Sequence, residues 1–244
     1  MYSFLKKHIK SVLPKLFLFK NELLLRYFYG VLYLGKTHQC NICKHKLRAF
    51  IITDNKSICP FCGSLARTRR LIQQLEYHNC LHGKVLHFSP SRNIYRKLKK
   101  NNKIQYFSSD YENEFLADYN FDITQIKQPN ETFDLIICYH ILEHITNDME
   151  AINELYRVLN PNGKIYLQTP FKDGDIYEDY SIISPEKRKK HFGQEDHVRI
   201  YSVNGLKCRL EKVGFKVVIN SFNKSNEDYY FGFKSPETIL TLSK

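Results

Sequence analysis

No apolar run in this 244-residue chain approaches the roughly 20 residues needed to cross a bilayer. The apolar stretch at the N-terminus is broken by Lys15, Lys20 and Arg26, and no small-residue cleavage site follows it. A secretory signal is therefore not expected, and the chain reads as cytoplasmic. Glycine is scarce, with ten residues in all, and none cluster closely enough to suggest by themselves a phosphate-cradling turn. Acidic residues are almost missing from the first 70 positions, which hold fourteen Lys and Arg against two Asp and Glu.

The net charge of +12 is therefore unevenly placed, because residues 71–244 carry twenty-three charges of each sign. A basic first third points to an anionic partner, either nucleic acid or lipid headgroups, or else to an ordinary solvated face. Residues 1–36 alternate Phe4, Leu5, Ile9, Val12, Leu16, Phe19, Leu23, Leu24 and Phe28 with lysines. This pattern predicts a basic, apolar helical extension interrupted near Pro14. Such helices can lie against an anionic membrane face through residues 1–35 or pack on their own domain.

Residues 37–66 carry a sharper signal. Cys40-Asn-Ile-Cys43 and Cys59-Pro-Phe-Cys62 are two Cys-x-x-Cys pairs fifteen residues apart. That spacing suits a four-thiolate structural zinc site with no open coordination position. A disulfide pairing is the alternative, and a reducing compartment disfavours it. Leu47 to Thr53 and Lys56 to Cys59 read as a small hairpin turning at Asp54-Asn55, so the segment resembles a zinc ribbon. A helix is expected from a Ser64 cap to His78, with Arg67, Arg69 and Arg70 either meeting a polyanion or bracing the ribbon. Cys80, Cys138 and Cys208 read as ordinary interior residues.

From residue 67 onward the pattern is that of an α/β domain. Strands are expected over Lys84 to Phe88, Ile104 to Ser109 and Leu135 to Cys138, the last a short apolar run of the kind buried on both faces. Asn147 or Asp148 can cap a helix in which Met149, Ile152, Leu155, Tyr156 and Leu159 recur at helical spacing. Pro161 and Gly163 stop it, and Lys164 to Thr169 supplies the next strand. A strand-helix-strand unit of this length implies a crossover in a parallel sheet. Residues 170–200 read as a long connection, followed by a helix over Val203 to Val213 and a strand over Gly214 to Asn220. Tyr229 to Phe233 or Thr238 to Leu242 would close the sheet with a reversed hairpin.

The segment Phe133-Asp-Leu-Ile-Ile-Cys-Tyr-His-Ile-Leu-Glu-His144, with Glu154-Leu-Tyr-Arg-Val-Leu-Asn-Pro-Asn-Gly163, resembles the second half of a class I S-adenosylmethionine-dependent methyltransferase domain. The resemblance implies a Rossmann-like, doubly wound sheet with a reversed C-terminal hairpin, here preceded by a zinc ribbon and N-terminal helices. It also implies S-adenosylmethionine as cofactor. The family's first strand usually ends in an acid and a glycine-rich turn. In this chain His87 stands at the acidic position, and Ser89, Ser91 and Asn93 replace the three glycines. By resemblance, Asp110 at the end of the second strand would accept the ribose hydroxyls. Asp122, in Asn120-Phe-Asp-Ile-Thr124, would receive the adenine amino group, and Tyr139 would flank the cofactor.

The run His191-Phe-Gly-Gln-Glu-Asp-His-Val-Arg-Ile-Tyr201 also resembles a subset of bacterial methyltransferases with upstream cysteine knuckles. Methyl transfer to oxygen or nitrogen can need a general base, and His197, His144 and His191 are the candidates in that order. The reading that follows is a zinc-ribbon methyltransferase acting on a small molecule or glycan, with a lipid-linked sugar suiting the basic, apolar N-terminus. An RNA methyltransferase is a second reading. Against it, no Asn/Asp-Pro-Pro-aromatic motif follows Cys138. A methyltransferase-like scaffold without cofactor is the third, and the altered turn from His87 to Asn93 is its evidence.

Overall fold

The computed structural model describes residues 21–53 and 56–244. The helices expected before residue 21 and the turn expected at Asp54-Asn55 lie outside the described residues. The chain divides into two compact units. One takes the described residues up to Asn79 together with Phe222–Glu237, and the other takes Cys80–Ser221 and Thr238–Lys244.

The first unit begins with α1 (Glu22–Val31) and β1 (Leu34–Gln39), which pairs antiparallel with β2 (Lys46–Leu47). β3 (Ile51–Thr53) and β4 (Lys56–Ile58) form the expected antiparallel hairpin. Helix α2 (Ala66–Tyr77) buries Leu71, Ile72 and Leu75 along one face. Its N-cap is Leu65, with no side-chain hydrogen bond, so Ser64 does not cap it as expected. The Ser64 hydroxyl lies instead 3.4 Å from Cys40 Sγ and 3.3 Å from Cys62 Sγ. A hydroxyl beside sulfurs that carry negative charge makes a stronger hydrogen bond there than with a neutral helix amide.

The second unit is built on a six-stranded sheet. Its strands are β5 (Gly83–Phe88), β6 (Ile104–Ser109), β7 (Phe133–Tyr139), β8 (Leu159–Gln168), β12 (Lys216–Phe222) and β13 (Glu237–Ser243), ordered β12-β13-β8-β7-β5-β6. β6, β5, β7 and β8 run parallel, while β13 lies antiparallel to β8. Of the two expected closures, Thr238 to Leu242 is the one realised. Tyr229 falls in a short helix instead.

Helix α3 (Arg92–Lys99) follows β5, and α4 (Asp148–Val158) crosses from β7 to β8, burying Ala151, Ile152, Leu155 and Val158. No side chain caps α4, because Asp148 turns to Tyr201 and Arg209. Pairing of β8 starts at Leu159 opposite Phe133, bulges over Asn160 to Gly163, and resumes at Lys164 opposite Leu135. Pro161 is tolerated because it sits in that bulge, where no ladder amide is needed.

The connection expected over 170–200 is not structureless. It holds β9 (Phe171–Lys172), β10 (Tyr177–Glu178) and α5 (Pro185–Phe192), with β11 (Arg199–Ser202) joining β9 and β10 in a small separate sheet. Its pattern was masked because β9 and β10 are two residues each. α5 starts at Ser184, whose side chain accepts from the Lys187 amide, and ends at Gly193 with φ of 91°. Helix α6 (Val203–Val213) is capped by Ser202 and stopped by left-handed Gly214. The chain then enters the first unit through α7 (Asn226–Phe231).

Arg69 and Arg70 settle their own role within the first unit. Arg69 is fully buried over the Phe50 ring and donates to the carbonyls of Ser64, Phe231 and Gly232 and to Ser57 Oγ. Arg70 lies over the rings of Phe222 and Phe233 and pairs with Asp228 at 2.6 Å. Both brace the ribbon, and neither is available to a polyanion.

Candidate functional site

Strand register places four residues level at the carboxyl edge of the sheet. β5 pairs His87 with Ser108 of β6 and with Ile137 of β7, and β7 pairs Tyr139 with Gln168 of β8. Ser89, Asp110, Tyr139 and Gln168 therefore stand in one row, where parallel α/β sheets bind ligands.

Ser89, at the position of the first glycine in the resembled family, has φ of 44°, in the left-handed region that favours glycine. A serine thus adopts here a backbone conformation that glycine takes at no steric cost. The Ser89 amide donates to the Ser109 carbonyl at 2.7 Å, and its hydroxyl donates to Asp110 Oδ1, also at 2.7 Å. Asp110 Oδ2 accepts from the amides of Glu114 and Phe115 at 2.6 and 2.9 Å. This buried carboxylate is therefore rigidly aimed, and each oxygen keeps further acceptor capacity.

His87 does not reach the turn. It is buried in β5, its Nδ1 is 3.1 Å from Tyr106 Oη, and burial pushes its pKa down to about 3. It is a neutral imidazole at neutral pH and does not supply the charge of the acid it replaces. Ser91 precedes α3, its hydroxyl 3.3 Å from Asn93 Oδ1 in the first turn. Asp122 accepts from the Thr124 amide and hydroxyl at 2.8 and 2.7 Å, the geometry of an Asx turn.

Two buried polar atoms at this edge have no protein partner: Gln168 Oε1 and Thr169 Oγ1. Orphaned polar atoms in a buried position want a polar ligand or water. With the glycine-like turn and the aimed Asp110, they make the edge fit a polar cofactor such as S-adenosylmethionine. A surface groove of about 620 Å³ lies at the opposite edge around Gly83, Lys103, Thr132 and Asp134. It touches none of these groups.

The chain leaves β7 through His140, at φ of 57°, into a 3-10 turn over Leu142–His144. Glu143 is buried, its Oε1 3.1 Å from His140 Nδ1. Burial acts to raise its carboxyl pKa, but the His140 hydrogen bond and charge outweigh it and hold it below the usual range. His144 Nδ1 is 2.9 Å from Asp196 Oδ2, and its ring meets that of His197 edge-on at 4.7 Å. His197 is buried, its Nδ1 3.1 Å from the Phe192 carbonyl.

This pairing is fixed by the backbone and by Arg199. The Val198 amide donates to the Glu143 carbonyl at 2.9 Å. The fully buried Arg199 guanidinium donates to the carbonyls of Leu142, Ile145 and Thr146 and pairs with Glu178 at 2.8 Å. His191 is not part of the cluster. It is exposed on α5, and its Nδ1 is 2.7 Å from Tyr177 Oη. Sequence reasoning passed over Glu143 and Asp196 as site groups. An acid between Leu142 and His144, just after an apolar strand, was the available signal.

Within the first unit, the sulfurs of Cys40, Cys43, Cys59 and Cys62 lie within 4.8 Å of one another. Cys40 to Cys62 and Cys43 to Cys59 are both 3.7 Å. Tetrahedral zinc with bonds of about 2.3 Å demands about 3.8 Å between sulfurs, so the four residues fit that ion. Among the described residues, no helix is long and apolar enough to cross a membrane.

A family model described as a methyltransferase domain matches residues 47–219. An uncharacterised protein of Methanocaldococcus jannaschii is 31% identical over 85 residues, covering 33% of this chain and 37% of that protein. A sterol 24-C-methyltransferase of Eremothecium gossypii is 26% identical over 136 residues, covering 54% of this chain and 32% of that one. The chain thus spans about a third of the length of these curated relatives. Among solved structures, a SAM-dependent methyltransferase from Archaeoglobus fulgidus superposes with a TM-score of 0.50 at 16% identity, covering 72% of this chain and 94% of that one. With the motif match over more than half its length and the sheet described above, the chain belongs to the methyltransferase domain family and has the class I fold.

Proposed function

We propose that the protein is an S-adenosylmethionine-dependent methyltransferase whose acceptor is a polar small molecule or glycan. The observation that carries this reading is the row of Ser89, Asp110 and Tyr139 at the carboxyl edge, with a left-handed turn kept at Ser89. Asp110 would accept the ribose hydroxyls, Ser89, Ser91 and Asn93 would border the methionine part, and Asp122 would face the adenine. When bound, S-adenosylmethionine supplies a methyl group already activated on a sulfonium. What remains for the chain is alignment of the acceptor, where proximity and orientation dominate. His144 and His197, whose rings meet just past β7, would be the groups that act on that acceptor.

A lipid-linked sugar is the acceptor class we favour. Helix α1 and its C-cap Leu32 leave Leu24, Tyr27, Phe28 and Leu32 more than half exposed, an apolar face within the basic first third. Such a face suits contact with an anionic lipid surface. The four-cysteine cluster would hold a structural zinc ion.

Calorimetric titration with S-adenosylhomocysteine tests the cofactor reading. Micromolar binding that Asp110→Ala abolishes supports it. No binding by folded, zinc-loaded protein would overturn it in favour of a scaffold. Binding of RNA that weakens steeply with salt would favour an RNA acceptor over a glycan.

A further inference from the structure

Glu143, His144 and His197 offer three ligand atoms that all lie within 4.8 Å of one another. Each is also held from behind. His197 turns Nδ1 to the Phe192 carbonyl, which places the proton there and leaves Nε2 as a bare lone pair. That Nε2 is buried and has no partner. Glu143 uses Oε1 on His140, and its Oε2 is likewise buried and without a partner. His144 uses Nδ1 on Asp196, leaving Nε2 as its ligand atom.

An outer partner on one atom and an open lone pair on the other is how metal-binding histidines and carboxylates are oriented. A hydrogen-bonded proton relay would give each of these buried acceptors a donor, whereas His197 Nε2 and Glu143 Oε2 both lack one. We propose that Glu143, His144 and His197 form a second metal site, separate from the cysteine cluster, which binds a divalent first-row transition ion. Two imidazoles and one carboxylate favour such ions over calcium or magnesium, which take oxygen ligands. Three protein ligands leave at least one coordination position for water or an oxygen of the acceptor. Asp196 and His140 are positioning residues, acting through His144 and Glu143.

The site goes beyond the methyl-transfer reading and stands independently of it: metal uptake reads this cluster, whereas S-adenosylhomocysteine titration reads the edge at Asp110. The test is titration of the full-length, singly zinc-loaded protein with cobalt(II), followed by visible absorption and elemental analysis. Cobalt bound by nitrogen and oxygen gives ligand-field bands without the intense near-ultraviolet charge transfer of a thiolate site. The expected result is one further equivalent, of the nitrogen-oxygen type, weakened at least tenfold in Glu143→Gln and lost in His144→Ala. His144 is only half-buried, so His144→Ala keeps the test valid should Glu143→Gln not fold. Wild-type protein that takes up no second equivalent would overturn the proposal. So would His144→Ala protein, folded by circular dichroism, that binds cobalt as wild type does.

Discussion

The Ser89 hydroxyl donates to Asp110 Oδ1 across 2.7 Å, joining the end of one central strand to the end of its neighbour. The bond takes up acceptor capacity on the group proposed for the ribose. It also comes from a non-glycine residue at positive φ. Ser89→Gly should relieve the backbone and release Oδ1. A net hydrogen bond of about 1 kcal/mol then corresponds to roughly five- to tenfold tighter S-adenosylhomocysteine binding by calorimetry. Weaker binding would show that Ser89 holds Asp110 in its working position.

His87 ties stability to acid pH. Its folded pKa of about 3 lies below the ordinary 6.5 because burial disfavours the imidazolium. The unfolded chain therefore takes up the proton first, and stability present above pH 6.5 drains away as pH falls toward 3. Between pH 7 and pH 5 the loss from this group is about 2 kcal/mol. His87→Asn cannot titrate and should flatten that slope. Urea unfolding of both proteins at the two pH values measures the difference.

Glu237 works in the opposite direction. It is buried, both its carboxyl oxygens lack hydrogen bonds, and burial pushes its pKa up to about 7 against the pull of Lys234, Arg70 and Arg67. The folded state holds the proton more tightly, so stability is complete below about pH 4.5 and is lost as pH rises through 7. Glu237→Gln should gain about 3 kcal/mol on the wild type between pH 4 and pH 8. The same urea series at those pH values decides it. Equal slopes for the two proteins would show that Arg70, 3.9 Å away, neutralises the carboxylate.

The cysteine cluster should hold its zinc against mild chelation and lose it with Cys59→Ser. Four thiolates contribute most of a small ribbon's folding free energy, on the order of 10 kcal/mol as apparent binding. Metal loss should therefore melt the ribbon well before the sheet. Hydrogen exchange resolves the two: amides of β3, β4 and α2 should lose protection in Cys59→Ser, while those of β5 and β7 keep it.

The elements read most directly from sequence are those with strong local periodicity. β6 and α6 begin and end where expected, and the crossover from β7 through α4 to β8 is present as expected, although β7 is longer at both ends and Leu159, expected in the helix, opens β8 before its bulge. The four cysteines come together as their spacing implied. What stayed hidden depends on partners far along the chain. Arg69 and Arg70 read as braces ahead of polyanion contacts, but what they brace against shows only when Phe231, Gly232 and Asp228, more than 150 residues away, appear as their acceptors. Glu143 looked like a motif letter because His197 reaches it only through the fold. His87 looked like a substitute acid, and its burial in β5 is set by neighbouring strands rather than by its own segment.

The braces of Arg69 and Arg70 impose an order on birth at the ribosome. Their acceptors on Asp228, Phe231 and Gly232 are made about 150 residues after them. At roughly 5–20 residues per second, that is an interval on the order of ten seconds or more. The cysteine knuckles are local and can close on a metal at once. Two guanidiniums must nevertheless stay in water until every strand of the sheet but β13 has been synthesised. The first unit to be translated thus stays open until nearly the whole chain has been made.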